Sequence, residues 1–305
     1  MALKYSTGGA TEEAPAKSKN NLNQEKARRD MKNQNKGKSL KLRSSIQAGS
    51  RTRIRSWLAH GLKPAVIITA FLLAAASPVL AGNGNAGNPG ILPPQSNPHG
   101  KTYGEWSAEW WKWVYTMPQS QHPFYDTADC TEGQSGSVWF LGGTFVSTSP
   151  ETGVYVGTAI RDCTIPSGKA LFFPILNAEC STVEGNGTTE ADLRSCAVWL
   201  EDHITSMFCE IDGAPVKNLA QYRVQSPLFT FGPLPVDNIL AYQRYDAPPG
   251  TTSPSVGDGV YLMLAPLSVG PHTIHFGGRV DIPEWGLFTF MLEVTYHLTV
   301  APHQK

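Results

Sequence analysis

The stretch that decides the fold is 288-FTFMLEVTYHLTV-300, near the C-terminus. Apolar side chains occupy every second position from Phe288 to Val300, and most of the positions between them are polar. Successive side chains of a β-strand point to opposite faces of its sheet. This period of two therefore predicts one long strand with one face on a core and the other face largely in water.

Shorter apolar runs precede this strand and are separated by glycine and proline. They predict strands over 137–145, 153–160, 170–176, 222–225, 228–231 and 259–264. The run ALFFPIL is apolar throughout, which is typical of a strand that is buried on both faces. Asp212-Gly213 follows the run FCEI and predicts a hairpin turn.

Two helices interrupt the strands. Thr102 and Glu105 form a capping box that predicts a helix from residue 103, and Pro118 should end it. A second helix is expected over 190–206, after Thr189. Many short strands with two helices predict a mostly β domain, all-β or α+β. We expect an antiparallel β-sandwich, immunoglobulin-like or jelly-roll-like, with two peripheral α-helices.

Charge divides the chain at Ala81. The first 81 residues hold 15 basic and 4 acidic side chains, and the other 224 hold 10 basic and 21 acidic ones. Segments of such opposite charge are not expected to share a core. We expect a disordered basic leader over 1–50, because it has too few apolar side chains to offset the entropy lost on folding. Residues 82–100 should be a flexible linker, and 101–305 a single exported domain.

Residues 51–81 have the pattern of a secretory signal peptide. Basic residues precede the 12-residue apolar run AVIITAFLLAAA, and VLA before Gly82 predicts cleavage after Ala81. Spanning a bilayer needs about 20 residues. Secretion or a periplasmic location is therefore expected. The alternative is a membrane anchor formed by an uncleaved segment over 64–81.

The cysteines agree with export, because all five follow this segment: Cys130, Cys163, Cys180, Cys196 and Cys209. In an oxidising compartment they would form two disulfides and leave one spare thiol, in fifteen arrangements. Cys180 with Cys196 is the preferred pair, since a polar Gly/Thr-rich loop separates them. Cys130 with Cys163 is the second pairing. Cys209 lies in the apolar run SMFCEI and should be buried.

The first helix carries two sets of aromatic side chains. The core-facing set is Tyr103, Trp106, Trp110, Trp113, Val114 and Met117. Trp111 and Tyr115 form a separate i, i+4 pair on another face. Two interpretations stay open for this pair. Either the two rings are exposed for stacking on a sugar or a partner, or a second layer of the domain covers them.

Candidate acid–base residues lie at the end of the buried run ALFFPIL. Glu179 follows it, and Asn177 lies two residues earlier on the same predicted strand face. Polar groups at the end of a buried strand mark either a strand-to-loop transition or the floor of a pocket. Asp126 is the candidate second carboxylate. Arg161, in AIRDC, is a candidate to neutralise Glu179 or to bind an anion.

Metal and cofactor signatures are missing from the sequence. It has no G-x-S-x-G, no phosphate-binding glycine loop, no H-E-x-x-H and no C-x-x-C. His272 and His275 lie three residues apart on a predicted strand, so they should face opposite ways and not share an ion. Asp126 and Asp129 lack the further oxygen ligands of a calcium loop. We expect neither a metal nor a cofactor.

Three blocks, YGEWSAEWWKW, SVWFLGGTF and CTIPSGKALFFPILNAEC, resemble an uncharacterised group of exported bacterial proteins over most of residues 103–300. This resemblance implies export and carries no catalytic residues. PLSVGPHTIHF, followed by the long last strand, is similar to the late strands of bacterial immunoglobulin-like domains. That similarity bears on the fold and not on the function.

Three functions remain from the sequence. The first is a non-catalytic module that binds a glycan, an envelope component or a protein, with Trp111, Tyr115, Asn177 and Arg161 as candidate ligand-binding residues. The second is a carbohydrate-active envelope enzyme that uses Glu179 with another acid, which needs two carboxyls about 5–10 Å apart across a cleft. A purely structural role is the third. The acidic exported domain is not expected to bind nucleic acid, and membrane contact is expected only through an uncleaved signal segment.

Overall fold

The computed structural model describes residues 88–149, 152–286 and 288–302. The expected leader, signal peptide, cleavage site and alternative anchor lie outside the described residues, as do residues 82–87 of the expected linker. The described residues form a mostly β domain with two sheets that pack in a sandwich-like way, as the sequence predicts.

The helices and strands follow the order of the chain. Within the described ranges the α-helices are α1 (Tyr103–Thr116), α2 (Glu190–Glu201) and α3 (Ile239–Tyr242). The strands are β1 (Val138–Phe140), β2 (Ser147–Ser149), β3 (Val154–Pro166), β4 (Ala170–Ser181), β5 (Ile204–Ile211), β6 (Ala214–Pro215), β7 (Arg223–Gln225), β8 (Phe229–Phe231), β9 (Ser253–Leu264), β10 (Gly270–Ile282) and β11 (Phe288–Ala301).

Both sheets are mixed, whereas the sequence analysis predicts antiparallel ones. The first sheet has the order β1-β4-β9-β7, with β8 also beside β9, and the second has the order β2-β3-β11-β10-β5-β6. β1 pairs with β4, and β3 with β11, in parallel. Each of these pairs is joined by a long stretch of chain that passes through other strands, and a parallel pair requires such a crossover instead of a hairpin.

The long alternating stretch forms β11, at the centre of the second sheet. It pairs antiparallel with β10 from Phe288 to Val300 and in parallel with β3 on its other side. Val294, Tyr296 and Leu298 are buried, while Glu293 and His297, at alternate positions, are exposed. The alternation in the sequence therefore predicts both the strand and its buried face.

β4 is covered on both faces, as its continuous apolar sequence predicts. Phe172 lies against Tyr103 of α1, with ring centroids 5.9 Å apart. Phe173 points the other way and lies 5.2 Å from Phe276 of the second sheet. α1 is thus a layer of the domain and is not peripheral, because the outer face of the first sheet is apolar and needs a cover.

α2 ends earlier than the sequence predicts. It stops at Glu201, and the residues expected to complete it begin β5 at Ile204. Pairing with β10 takes this segment into the second sheet, so tertiary contacts override its local helical pattern. Leu193 and Ala197 pack α2 onto Cys180 in β4.

Residues 88–100, expected to belong to a flexible linker, are held against the domain. Leu92 donates its backbone N–H to Met263 at 2.8 Å and accepts a hydrogen bond from the Tyr103 hydroxyl at 2.5 Å. The side chain of Asn88 donates to the backbone of Lys217 at 2.9 Å. The glycine- and proline-rich composition of residues 88–100 therefore predicts the lack of regular strands and long helices. It does not predict that the segment is attached to the domain.

The two predicted disulfides are present. Cys180–Cys196 joins β4 to α2 with the Cα atoms 6.1 Å apart, and Cys130–Cys163 joins a loop to β3 with the Cα atoms 5.8 Å apart. Cys209 is a buried free thiol, as predicted. Burial raises its pKa to about 12, so the thiol stays protonated and unreactive at neutral pH.

Candidate functional site

A cavity lies beside β4 where β1 ends. β1 pairs only with Ala170–Phe172, and the register of β4 against β9 then shifts between Pro174 and Leu176. Proline has no N–H to donate to another strand. α1, the second sheet and the loop after β1 enclose the space at this edge, and its volume is about 210 Å³.

Four parts of the fold line the cavity. α1 supplies Trp110, Trp111, Val114 and Tyr115, and β4 supplies Pro174, Leu176 and Asn177. The second sheet supplies Tyr155, Phe290 and Leu292. Loops and α3 supply Gly143, Thr144, Phe145, Val146, Phe124, Ile239 and Gln243. None of these described lining residues is charged, and most are aromatic or aliphatic. The cavity is therefore suited to an uncharged and largely apolar molecule.

Trp111 and Tyr115 are covered by the domain, which decides between the two interpretations of this pair. Each is 5% exposed, and their rings stack with centroids 5.7 Å apart. Gly257 in β9 makes room for Trp111, since a Cβ atom there would lie 2.7 Å from the indole nitrogen. Both residues contribute to the cavity wall from within and do not form an open stacking surface.

Asn177 lies half-buried at the cavity and is held by a buried hydroxyl. Its amide nitrogen donates to the Tyr261 hydroxyl at 3.1 Å, and the Trp111 indole donates to the same oxygen at 3.1 Å. Gly259 on the neighbouring strand permits the close approach, because a Cβ atom there would lie 2.6 Å from the Asn177 Cβ. The sequence left open whether these polar groups mark a strand-to-loop transition or a pocket, and Asn177 lies at a pocket.

Glu179, two residues further along β4, is sealed from the cavity. Its carboxylate accepts a hydrogen bond from the Tyr115 hydroxyl at 2.5 Å and another from the Ser255 hydroxyl. Glu179 is buried and does not line the cavity. Burial and the Glu179 charge raise the pKa of Tyr115 well above its usual value, so the phenol remains a hydrogen-bond donor.

A second buried carboxyl, Glu184, faces Glu179. Burial and the neighbouring Glu179 carboxylate raise the pKa of Glu184 well above its usual value. Ser181 donates to Glu184 at 2.7 Å, and a turn brings the backbone N–H of Gly185 to Thr182. The sequence analysis did not single out this residue, because a glutamate in the glycine-rich loop STVEGNG has the composition of a solvated turn.

Arg161 and Asp126 form a separate cluster. The Arg161 guanidinium lies 3.2 Å from the Asp126 carboxylate and donates to the Tyr296 hydroxyl at 3.0 Å and to the Phe124 carbonyl at 3.0 Å. Arg161 thus neutralises Asp126 and not Glu179. The two acids proposed from the sequence belong to different clusters, and the carboxyl beside Glu179 is Glu184 instead.

The two histidines of β10 contact different acidic side chains. His272 lies 2.7 Å from Asp212, and His275 lies 3.0 Å from Glu293. Over the described ranges, no group of three or more histidine, cysteine or acidic side chains is arranged to hold a metal ion.

The rim of the cavity is aromatic. Phe145 lies 4.7 Å from the ring of Tyr125 and 6.4 Å from that of Tyr242, which is 61% exposed. Gln243, the exposed residue after Tyr242, also lines the cavity. Sequence reasoning missed these residues, because they come from two loops and the end of α3, which only the tertiary fold brings together.

Comparison with known proteins adds no further information about this site. No protein-family model, no curated protein and no solved structure matches the chain. In the part of the chain that the structure describes, no helix has both the length and the apolar character to cross a membrane.

Proposed function

We propose that this protein is an exported, non-catalytic binding protein whose cavity holds a small, uncharged and largely apolar molecule. The observation that carries the proposal is the lining of the cavity. It combines rings from α1 with rings and aliphatic side chains from the second sheet, and its described lining holds no charged group. Such a lining favours ligands through burial of apolar surface.

A glycan fits this lining less well than an apolar ligand does. Sugar rings carry several hydroxyl groups, and each loses free energy when it is buried without a hydrogen-bond partner. The hydroxyls of Tyr115 and Thr144 at the cavity already donate to Glu179 and to the Phe124 carbonyl. The covered position of Trp111 also removes the stacking surface on which a glycan-binding function depends.

A hydrolase that uses Glu179 is less well supported than a binding protein. Glycoside hydrolysis needs two carboxyls that reach the substrate from opposite sides of a cleft. Glu179 has Glu184 beside it, but Tyr115 and Ser255 enclose its carboxylate, and neither acid is among the lining residues of the cavity. These contacts favour a structural role for the acid pair.

Export rests on the sequence and on the disulfides. The apolar run before Ala81 has the length of a signal peptide, and the disulfides Cys130–Cys163 and Cys180–Cys196 are typical of an oxidising compartment. A secreted or periplasmic location follows from this part of the proposal. Mass spectrometry of the protein from a native extract tests it, and an N-terminus at Gly82 is the expected result.

Binding of N-phenyl-1-naphthylamine tests the cavity. This uncharged probe fluoresces in apolar surroundings. We expect saturable binding to the full chain. Binding to Gly143→Phe should be at least about tenfold weaker, because the new ring fills volume that the probe occupies. A tenfold loss of affinity corresponds to about 1.4 kcal/mol of binding energy. Gly143 is suitable because a Cβ atom there meets only Leu292, at 4.0 Å.

Ile160→Phe is the matched control. Ile160 is 68% exposed, so the substitution adds the same ring on the surface and away from the cavity. This variant should bind the probe as the wild type does. Equal affinity of Gly143→Phe and wild type, with both folded by circular dichroism, would refute the proposal.

A further inference from the structure

One polar side chain differs from the rest of the cavity lining. Asn177 is half-buried at the cavity, and its amide nitrogen is bonded to the Tyr261 hydroxyl at 3.1 Å. Among the residues that the structure describes, none donates a hydrogen bond to its carbonyl oxygen. One of the two amide N–H groups is engaged in this bond, and the carbonyl oxygen is the acceptor that Asn177 offers to a bound molecule.

The hydroxyl that holds Asn177 is fixed in turn. Tyr261 is fully buried, and its ring stacks on Phe172 with centroids 5.3 Å apart. Its oxygen accepts from the Trp111 indole as well, and an indole nitrogen can only donate. This arrangement holds the Asn177 amide in one orientation before any ligand enters, which lowers the entropy cost of binding.

Apart from the Tyr155 hydroxyl on the second sheet, the other polar side chains of the lining are engaged or lie at the rim. The Thr144 hydroxyl donates to the Phe124 carbonyl at 3.2 Å, and the Tyr115 hydroxyl donates to Glu179 at 2.5 Å. Gln243 is exposed to solvent. Asn177 is therefore the side-chain carbonyl that a ligand meets inside the apolar space.

We infer that the cavity selects a ring-containing, uncharged ligand with one hydrogen-bond donor, a hydroxyl or an N–H, which bonds to the carbonyl oxygen of Asn177. Phenols and indoles have this chemistry. A ligand without a donor covers that oxygen and leaves it without a hydrogen-bond partner, and this is the physical basis of the selection. The inference rests on the proposed function and adds the polar group of the ligand to it.

Calorimetric titration of the full chain with phenol, toluene and anisole tests the inference. Phenol has the donor, toluene has no polar group, and anisole has an oxygen without a donor. Asn177→Leu should weaken phenol binding about 5- to 10-fold, as expected for one buried hydrogen bond. The same change should leave the affinities for toluene and anisole equal to the wild type or higher.

Gln221→Leu is the control, because it makes the same amide-to-leucine change at an exposed position outside the cavity lining. It should leave the ratio of phenol to toluene affinity unchanged. Asn177→Ala serves as a second variant if Asn177→Leu does not fold, and the same selective loss of phenol is expected.

The outcomes separate the two proposals. A selective loss of phenol binding supports the inference. Equal losses for phenol and anisole, or no loss for phenol, overturn it while leaving the cavity a binding site. If none of the three molecules binds the wild type and N-phenyl-1-naphthylamine also fails to bind, the proposed function falls and the inference with it.

Discussion

Asn177 and Glu179 lie two residues apart on β4 and face the same helix, but their surroundings differ. Asn177 borders a cavity of about 210 Å³, whereas Glu179 is enclosed by Tyr115 and Ser255 and faces the buried Glu184. The first position offers a hydrogen-bond acceptor to a ligand. The second position uses its acceptors to join α1 to the sheet.

The difference comes from α1 and not from the strand. Trp111 covers Gly257, and its neighbour one turn later, Tyr115, places a hydroxyl on Glu179. The Asn177 side chain instead contacts Tyr261 in the first sheet itself, and the cavity lies beside it. A buried polar side chain is therefore a candidate for function only where its neighbours leave it an unused hydrogen-bonding atom.

The largest expected effect is the loss of stability when Glu179 is removed. Glu179→Ala should lower the free energy of unfolding by about 3 to 4 kcal/mol, because it leaves two buried hydroxyls without an acceptor and creates a cavity. Asn177→Ala should cost about 1 kcal/mol or less, since the existing cavity already borders it. Urea denaturation measures both. Equal losses of unfolding free energy for the two variants would contradict the difference between Glu179 and Asn177.

The next largest effect is a loss of stability at low pH that depends on His122, which lies behind the cavity wall. His122 packs on Phe124 and Phe145, which line the cavity, and burial and then Arg161 lower its pKa from 6.5 to about 4. The folded state therefore binds fewer protons than the unfolded state between these values. Stability is full above pH 6.5 and falls as the pH drops towards 4, by up to about 3 kcal/mol. His122→Gln should lose this slope, and an unchanged slope in denaturation between pH 7 and 4 would argue against the assignment.

A smaller effect of opposite sign is expected from the sealed acid pair. The raised pKa of Glu184 means that the folded state keeps a proton that the unfolded chain releases as the pH rises past about 4.5. Stability from this group is full below pH 4.5 and declines above it. Glu184→Gln is therefore expected to be more stable than the wild type at pH 7 and to approach it at pH 4. A variant that is less stable than wild type at both pH values would show that Glu184 is charged in the fold.

Local signals predicted part of the fold. The period of two predicted β11, and the capping box of Thr102 and Glu105 predicted α1. The polar loop between Cys180 and Cys196 predicted their disulfide. Each of these depends on neighbouring residues or on one short loop. The parallel pairs and the end of α2 at Glu201 depend on distant strands, and no local pattern specifies them.

The sequence predicts only part of the candidate site, for the same reason. Asn177 and Glu179 stand out as polar residues at the end of an apolar run, and of the two Asn177 lines the cavity. Which one reaches a cavity depends on the short β1, the register shift after Pro174 and the packing of α1. Glu184 lies in a polar loop, and only a turn in the folded chain buries it beside Glu179.

Crystals of the protein soaked in 4-bromophenol offer the most direct test of the central claim, because the anomalous signal of bromine locates the ligand. The structure predicts one bromine site inside the cavity and the phenol hydroxyl within hydrogen-bond distance of the Asn177 carbonyl oxygen, about 2.5–3.0 Å. Glu179 should keep its bonds to Tyr115 and Ser255. A ligand bound to Glu179 with an empty cavity would contradict the account.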